Sequence, residues 1–179
     1  MKANFKPLAL AAAVASVSYA GVVNAQTTGP SASPDGLGDL AIIPYYTVEG
    51  DFQTGFHITN TSDQTQVVKL RFRRATDSMD ALDIDLVMSP RDVWNGSISD
   101  DSGTLTLTTD DKTCTVPERS SASVPAGVFE FPELYREGAE EGYVEVIAMG
   151  QPSSESNLIA VAAKHVDGVP KDCSGVREN

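Results

Sequence analysis

The only two imidazoles of the chain, His57 and His165, are the first candidates for nucleophilic catalysis. A catalytic triad needs a serine, a histidine and a carboxylate that converge on one point, and the G-x-S-x-G turn that often presents the serine is absent from the sequence. His57 lies in an alternating segment, on the face opposite Phe56 and Ile58, and His165 ends an apolar segment before a turn. Both positions favour structural histidines, so we expect no catalytic residue.

Asp83 and Asp85 form the clearest pair of carboxylates. Residues i and i+2 of a strand are about 6.6 Å apart, which is within the range that glycosidases use. On the outer face of a sheet, however, such a pair faces solvent and not a cleft. We expect the two aspartates to pair instead with basic side chains of a neighbouring strand: Lys69, Arg71 and Arg73.

Four further aspartates flank a short alternating segment, with Asp100 and Asp101 before it and Asp110 and Asp111 after it. Clustered carboxylates are hard oxygen ligands of the kind that calcium prefers, although the EF-hand spacing is absent. The sequence therefore raises the hypothesis of a calcium site at these residues, and a hydrated hairpin end explains them equally. No other cofactor is expected, because two cysteines and two histidines are too few for a closed zinc cage.

Aromatic residues are the candidates for binding a small ligand or a glycan by stacking, namely Tyr45, Tyr46, Trp94 and Tyr135. For Trp94, the only tryptophan, the competing interpretation is a side chain that fills the core of the domain.

The amino-terminal residues 1–25 have the pattern of a secretory signal peptide. Two lysines, Lys2 and Lys6, precede an apolar stretch from Pro7 to Val23, and small residues before Gln26 fit a cleavage site. We expect a secreted protein of the periplasm, cell surface or extracellular space, with no membrane insertion after cleavage. In such an oxidising compartment Cys114 and Cys173, the only two cysteines, are expected to form a disulfide.

The charge balance excludes one class of partner. The chain has 25 acidic and 13 basic side chains, so its formal net charge is −12. Phosphate binding needs a surplus of lysine and arginine, and a nucleic-acid partner is therefore not expected.

Apolar and polar residues alternate with a period of two along most of the chain, which predicts half-buried strands. Residues 26–38 are rich in Gly, Pro and Ser and indicate a flexible leader, residues 39–173 one domain, and residues 174–179 a tail. Regular turn signals favour an all-β fold, an antiparallel Ig-like β-sandwich of seven to nine strands with one disulfide. Two segments, Leu40–Val48 and Leu158–Ala163, are apolar on both faces and are predicted as inner strands or strands covered on both sides, although Pro44 limits pairing in the first.

Several stretches of the chain resemble a group of exported proteobacterial cell-surface proteins. They include residues 38–48 (GDLAIIPYYTV), residues 57–62 (HITNTS), residues 89–94 (SPRDVW) and residues 165–170 (HVDGVP). The resemblance implies an extracytoplasmic location and a β-rich fold. The proteins of this group look longer than the present chain.

Three functional hypotheses follow. The first is a non-enzymatic surface or matrix protein that acts by assembly or adhesion, with other surface proteins or copies of itself as partners, through exposed sheet edges. We expect those edges at Leu40–Val48 and Gly142–Met149. The second hypothesis is a small-ligand or glycan-binding module, and the third is a secreted hydrolase that uses one of the two histidines.

Overall fold

A computed structural model describes residues 37–118 and 127–178 of the chain. The predicted signal peptide, residues 1–25, and nearly all of the leader, residues 26–38, lie outside the described residues. The strands are β1 (Leu40–Thr47), β2 (Thr54–Thr59), β3 (Gln66–Arg74), β4 (Asp80–Met88), β5 (Val93–Asp101), β6 (Thr104–Thr108), β7 (Cys114–Val116), β8 (Val128–Glu130), β9 (Glu141–Gly150), β10 (His165–Val166) and β11 (Val169–Pro170). The short helices are α1 (Glu133–Arg136), α2 (Leu158–Ala163) and α3 (Cys173–Glu178).

Nine of these strands form two antiparallel sheets. One sheet has five strands in the order β1-β9-β3-β4-β7, and the other has four in the order β2-β5-β6-β8. Strands β10 and β11 form a separate hairpin. The alternating pattern of the sequence is the cause, because it gives both sheets an apolar face, and these faces pack against each other. The predicted all-β antiparallel sandwich is confirmed.

The core fills the space between the two sheets, and Phe72 of β3 lies at its centre. Its ring centroid lies 6.1 Å from that of Tyr46, 5.9 Å from that of Phe56 and 5.7 Å from that of Phe131. Tyr46, Phe72 and Phe131 are fully buried. Offset and edge-to-face contacts between aromatic rings stabilise a core beyond the area that they bury, so this cluster ties β1, β2 and β3 together.

The charged outer face of the five-stranded sheet confirms the predicted cross-strand pairs. Lys69 lies opposite Asp85, and Arg71 lies opposite Asp83. The ammonium nitrogen of Lys69 is 2.8 Å from Oδ1 of Asp85, and Nη2 of Arg71 is 3.3 Å from Oδ2 of Asp83. Pairs of this kind contribute about 0.2–1 kcal/mol each, and they help to fix the strand register.

The segment Leu158–Ala163 is a helix, so its predicted assignment as a strand is wrong. Asn157 precedes it as the N-cap, where its side-chain oxygen accepts a hydrogen bond from the backbone N–H of Ile159 at 2.9 Å. Three of the six residues are alanines, which have the highest helix propensity. Helix capping and alanine content therefore outweigh the uniformly apolar pattern that indicated a strand.

Helices α2 and α3 form a second, smaller core beside the five-stranded sheet. Its buried members are Val87, Cys114, Ala162, Ala163 and Val176. The predicted disulfide between Cys114 and Cys173 is present, with a Cα–Cα distance of 5.2 Å, and it attaches the start of α3 to β7. Most of the segment predicted as a tail, residues 174–179, belongs to α3.

Within residues 37–118 and 127–178, no helix is long and apolar enough to span a membrane.

Candidate functional site

His165 lies beside a serine and a carboxylate, but the geometry differs from that of a catalytic triad. Its Nδ1 is 2.9 Å from Oγ of Ser89 and 3.6 Å from Oδ2 of Asp92. In a triad the serine and the carboxylate contact opposite nitrogens of the imidazole, so that a proton can pass from one side to the other. Here one nitrogen faces both groups, and the cluster holds the β10–β11 hairpin against the turn between β4 and β5.

The same turn is stabilised by several hydrogen bonds to Asp92. Its Oδ2 accepts from the backbone N–H of Ser89 at 3.1 Å and from the hydroxyl of Thr113 at 3.2 Å. The second histidine, His57, is far from such a network, because it is exposed on the outer face of β2 opposite Asn95. These surroundings fit structural and solvated histidines.

The four aspartates of the calcium hypothesis lie at opposite ends of β6. Asp100 and Asp101 end β5 before the β5–β6 turn, and Asp110 and Asp111 follow β6. A strand of this length separates the two pairs by about 15 Å or more, which is too far for one ion. Across the described part of the chain, no group of three His, Cys, Asp or Glu residues is arranged to hold a metal.

Hydrogen bonds to the local backbone account for two of these carboxylates. Oδ1 of Asp100 accepts from the N–H of Gly103 at 2.6 Å, which closes the β5–β6 turn. Oδ1 of Asp111 accepts from the N–H of Thr113 at 2.8 Å. The interpretation as hydrated and capped hairpin ends therefore has geometric support, and a shared calcium site has none.

The four aromatic candidates do not form one surface. Trp94 and Tyr46 are fully buried in the core, so the prediction that they stack on a ligand is wrong. Both side chains are on the inward faces of their strands, Trp94 on β5 and Tyr46 on β1. Each ring packs over a glycine: Trp94 over Gly96 and Tyr46 over Gly142. Tyr45 and Tyr135 are exposed but lie in different places. Tyr45 is on β1, which packs beside β9, and Tyr135 is on α1, which contacts β4.

The remaining candidate is the free edge of β1, the first strand of the five-stranded sheet. β1 pairs with β9 on one side, and no described strand pairs with it on the other. Its exposed side chains are large and apolar: Leu40 is 55% exposed, Ile42 58% and Tyr45 55%. No residue of β1 is charged. An edge strand of this composition is a template for pairing with another chain.

The hydrogen-bond pattern identifies the backbone groups that the edge offers. The backbone C=O of Asp39 accepts a hydrogen bond from the N–H of Ala148 at 2.8 Å. The same register continues along β1, with Ala41 opposite Val146 and Ile43 opposite Val144. In an antiparallel pair, alternate residues bond to the partner strand and the residues between them point away. The N–H and C=O groups of Leu40 and Ile42 therefore point to the open side, where no described residue bonds to them.

The two features that limit this edge lie toward the end of β1. Pro44 has no N–H to donate, and the register shifts between Ile43 and Tyr46, which marks a bulge. Beyond the bulge, the hydroxyl of Thr54 donates to the C=O of Thr47 at 2.8 Å and accepts from its N–H at 3.1 Å. The open part of the edge is therefore confined to Leu40–Ile43.

The other sheet edges are covered or polar. At β7, Nε of Arg177 in α3 donates to the C=O of Thr115 at 3.0 Å. At β2, the residues that alternate outward are Gly55, His57 and Thr59, and none of them is a large apolar side chain. The remaining edge of the four-stranded sheet, β8, is three residues long, and its exposed residue is Glu130. Among the edges of the two large sheets that the structure describes, β1 is thus the one with several large apolar side chains exposed along an open backbone.

A small apolar patch continues from β1 onto the outer face of β9. Leu40 lies directly opposite Ile147, and Met149, which is 52% exposed, follows on the same strand. We call Leu40, Ile42, Ile147 and Met149 the edge patch. The charged pairs of the outer face begin next to the edge patch, where Nε of Arg73 donates to Oε2 of Glu145 at 3.0 Å.

The two predicted edge segments have different outcomes. Leu40–Val48 contains the edge strand β1, as expected, and the other prediction for this segment, an inner or covered strand, is wrong because β1 is open on one side and largely exposed. Gly142–Met149 belongs to β9, which is paired on both sides, with β1 and with β3, so its prediction as an edge is wrong. The hydroxyl cap that Thr54 places on Thr47 was not predicted, because no sequence pattern marks a contact between a strand end and the next strand.

Comparison with known proteins identifies no relative. No protein-family model, curated protein or solved structure matches the chain. The resemblance to exported proteobacterial surface proteins stays a prediction.

Proposed function

We propose that this chain is an exported, non-enzymatic surface or matrix protein that acts by assembly through the open edge of β1. The observation that carries the proposal is the combination of unpaired backbone groups and exposed apolar side chains at Leu40 and Ile42. Edge strands of soluble monomers are ordinarily protected by charged residues, by short length or by a covering segment. Leu40–Ile43 has no charged residue, and no described segment covers it.

The cellular location is part of the same proposal. The disulfide between Cys114 and Cys173 fits an oxidising compartment, as does the sequence pattern of residues 1–25. Strand addition at an exposed sheet edge is a recurring mode of association between proteins. Export followed by pairing at β1 therefore gives one account of the disulfide, the leader and the apolar edge.

The absence of a catalytic role also belongs to the proposal. Its support is the geometry of the Ser89–His165–Asp92 cluster, in which a single nitrogen of the imidazole faces both oxygens. The Asp83 and Asp85 carboxylates are engaged by basic partners on β3.

The proposal is tested by measuring the mass of the protein in solution over a range of concentrations. The purified chain beginning at Gln26 is compared with Ile42→Lys, which places a charge on the open edge, and with Val93→Lys. Val93 is a matched control, because it is 41% exposed on β5 of the other sheet. We expect the chain and Val93→Lys to associate as concentration rises and Ile42→Lys to remain monomeric. A chain that stays monomeric at every concentration would contradict the proposal.

A further inference from the structure

We propose that the occupant of the β1 edge is β1 of a second copy of this chain, antiparallel, with Ala41 on the two-fold axis. This inference rests on the proposed function and adds the partner and the register. The result is a closed pair in which two five-stranded sheets join into one continuous sheet.

The choice of partner follows from charge. The chain has a formal net charge of −12, so two copies repel each other over most of their surfaces. β1 has no charged side chain, and its edge is therefore a surface where a second copy meets no like charge. A charged partner strand would place its charges beside the exposed apolar side chains of the edge patch.

The direction of pairing follows from symmetry and from the sheet itself. Every neighbouring pair in the two large sheets is antiparallel. An antiparallel pair of identical strands has a two-fold axis and uses the same surface of both copies, so the contact closes on itself. A parallel contact would not have that symmetry.

The register follows from the outward-pointing backbone groups. When Ala41 faces Ala41 of the second copy, Leu40 of each copy faces Ile42 of the other. The outward N–H and C=O groups of Leu40 and Ile42 then form four hydrogen bonds between the copies, as expected for alternate residues of an antiparallel pair. Leu40 of each copy then lies beside Ile42 of the other on the outer face of the joined sheet. The two edge patches therefore become continuous.

Neighbouring registers of the two strands are less favourable. A pair centred on Ile42 would place Leu40 opposite Pro44, which has no N–H to donate. A pair centred on Leu40 would place Ile42 opposite Gly38, which lies in a bend before β1 begins. A shift of a single residue between the strands would set side chains of opposite faces against each other.

The proposed register keeps Asp39 of one copy away from Asp39 of the other. With Ala41 on the axis, Asp39 faces Ile43 of the second copy, and the two aspartates are separated by the length of the paired segment. Pro44 faces Gly38, which has no side chain to obstruct it. The paired segment therefore ends without a like-charge contact or a steric overlap of side chains.

The test is disulfide cross-linking of variants of the chain beginning at Gln26 that carry one added cysteine beside the native disulfide. Ala41 would be a non-hydrogen-bonded pair with itself, for which the Cα–Cα distance is about 4.5 Å, within the range of a disulfide. Ile42 would lie two residues out of register with Ile42 of the second copy, at about 8 Å, which exceeds that range. We expect Ala41→Cys to form a reducible covalent dimer with oxidised glutathione as the oxidant, and Ile42→Cys to form little.

The outcomes separate the two proposals. If the parent chain associates at β1 but Ile42→Cys cross-links as well as Ala41→Cys, or neither does, the two-fold register is wrong and assembly at the edge stands. If the parent chain grows beyond two copies in solution, the closed pair is wrong. If the parent chain never associates and Ala41→Cys does not cross-link, both proposals fail. Retention of the native disulfide in each variant, shown by intact mass after proteolysis between the cysteines, confirms that the added cysteine has not displaced the native pairing.

Discussion

The ring of Tyr46 lies across Gly142, its cross-strand partner, and the space above that glycine is filled. A Cβ at position 142 would overlap the carbonyl oxygen of Arg73 and lie 2.8 Å from Cε1 of Tyr46. The hydroxyl of Tyr46 also donates to the C=O of Ala139 at 3.1 Å. This contact anchors the end of β1 on β9, while the start of β1 keeps its open edge.

Gly142→Ala should therefore destabilise the fold. Backbone and ring must move to admit the methyl group, so we expect the free energy of unfolding to fall by about 1–3 kcal/mol in urea denaturation. Gly55→Ala is the matched control, because Gly55 also lies in a strand and its Cβ would meet nothing closer than 3.9 Å. Equal stability of Gly142→Ala and the parent chain would contradict the close packing of Tyr46 and Arg73 against Gly142.

Trp94 should behave as a core residue and not as a ligand platform. Its side chain is fully buried and packs over Gly96, so Trp94→Ala should cost about 3–5 kcal/mol of stability. Because it is the only tryptophan, fluorescence of the native chain should resist quenching by iodide and become sensitive in urea. Equal quenching in the two states would contradict the burial of Trp94.

Removal of the disulfide should lower stability. The two cysteines are 59 residues apart in sequence, and the chain-entropy model gives about 4 kcal/mol at most for closing such a loop. We expect the double variant Cys114→Ala with Cys173→Ala to unfold at lower urea concentration and to lose protection of α3 in limited proteolysis. An unchanged unfolding midpoint would show that packing of Val176 and Ala163 alone holds the helix.

The stability of the chain should decrease at alkaline pH because of Tyr46. Burial raises the pKa of this phenol above its ordinary value, with a smaller contribution from Glu140. Below about pH 10 the phenol is neutral in both states, but above that value it ionises in the unfolded chain before it does so in the folded one. Unfolding is therefore favoured as pH rises.

Thermal unfolding at several pH values tests this expectation. Tyr46→Phe should be less stable by about 1 kcal/mol at neutral pH, because it leaves the C=O of Ala139 without its donor. Its melting temperature should nevertheless fall less steeply between pH 9 and pH 11 than that of the parent chain. Parallel curves for the two proteins would contradict the assignment to Tyr46.

Alternation alone was enough to predict the strands that carry the central sheet. In β3 and β4 every second residue is apolar, so the sequence also predicts which charges share the outer face, and Lys69 with Asp85 confirms it. The apolar segment Leu158–Ala163 was ambiguous, since a uniformly buried strand and a buried helix have the same composition. The cap at Asn157 and the three alanines are the signals that distinguish them.

Contacts between distant segments could not be predicted in the same way. Ser89 and His165 are 76 residues apart, and their 2.9 Å contact depends on how the β10–β11 hairpin returns to the β4–β5 turn. The edge position of β1 likewise could not be predicted from the sequence. The apolar sequence of Leu40–Val48 fits a covered strand as well as an exposed one, and only the strand order shows that one side is open.

Amide hydrogen exchange of the chain beginning at Gln26, measured in dilute and in concentrated solution, tests the open edge most directly. The N–H groups of Leu40 and Ile42 point away from β9, so they should exchange rapidly when the chain is dilute and become protected when it associates. The amides of His57 and Thr59 at the β2 edge should exchange alike in both samples. Protection that appears at β2, or association that leaves Leu40 and Ile42 exchanging rapidly, would contradict assembly through β1.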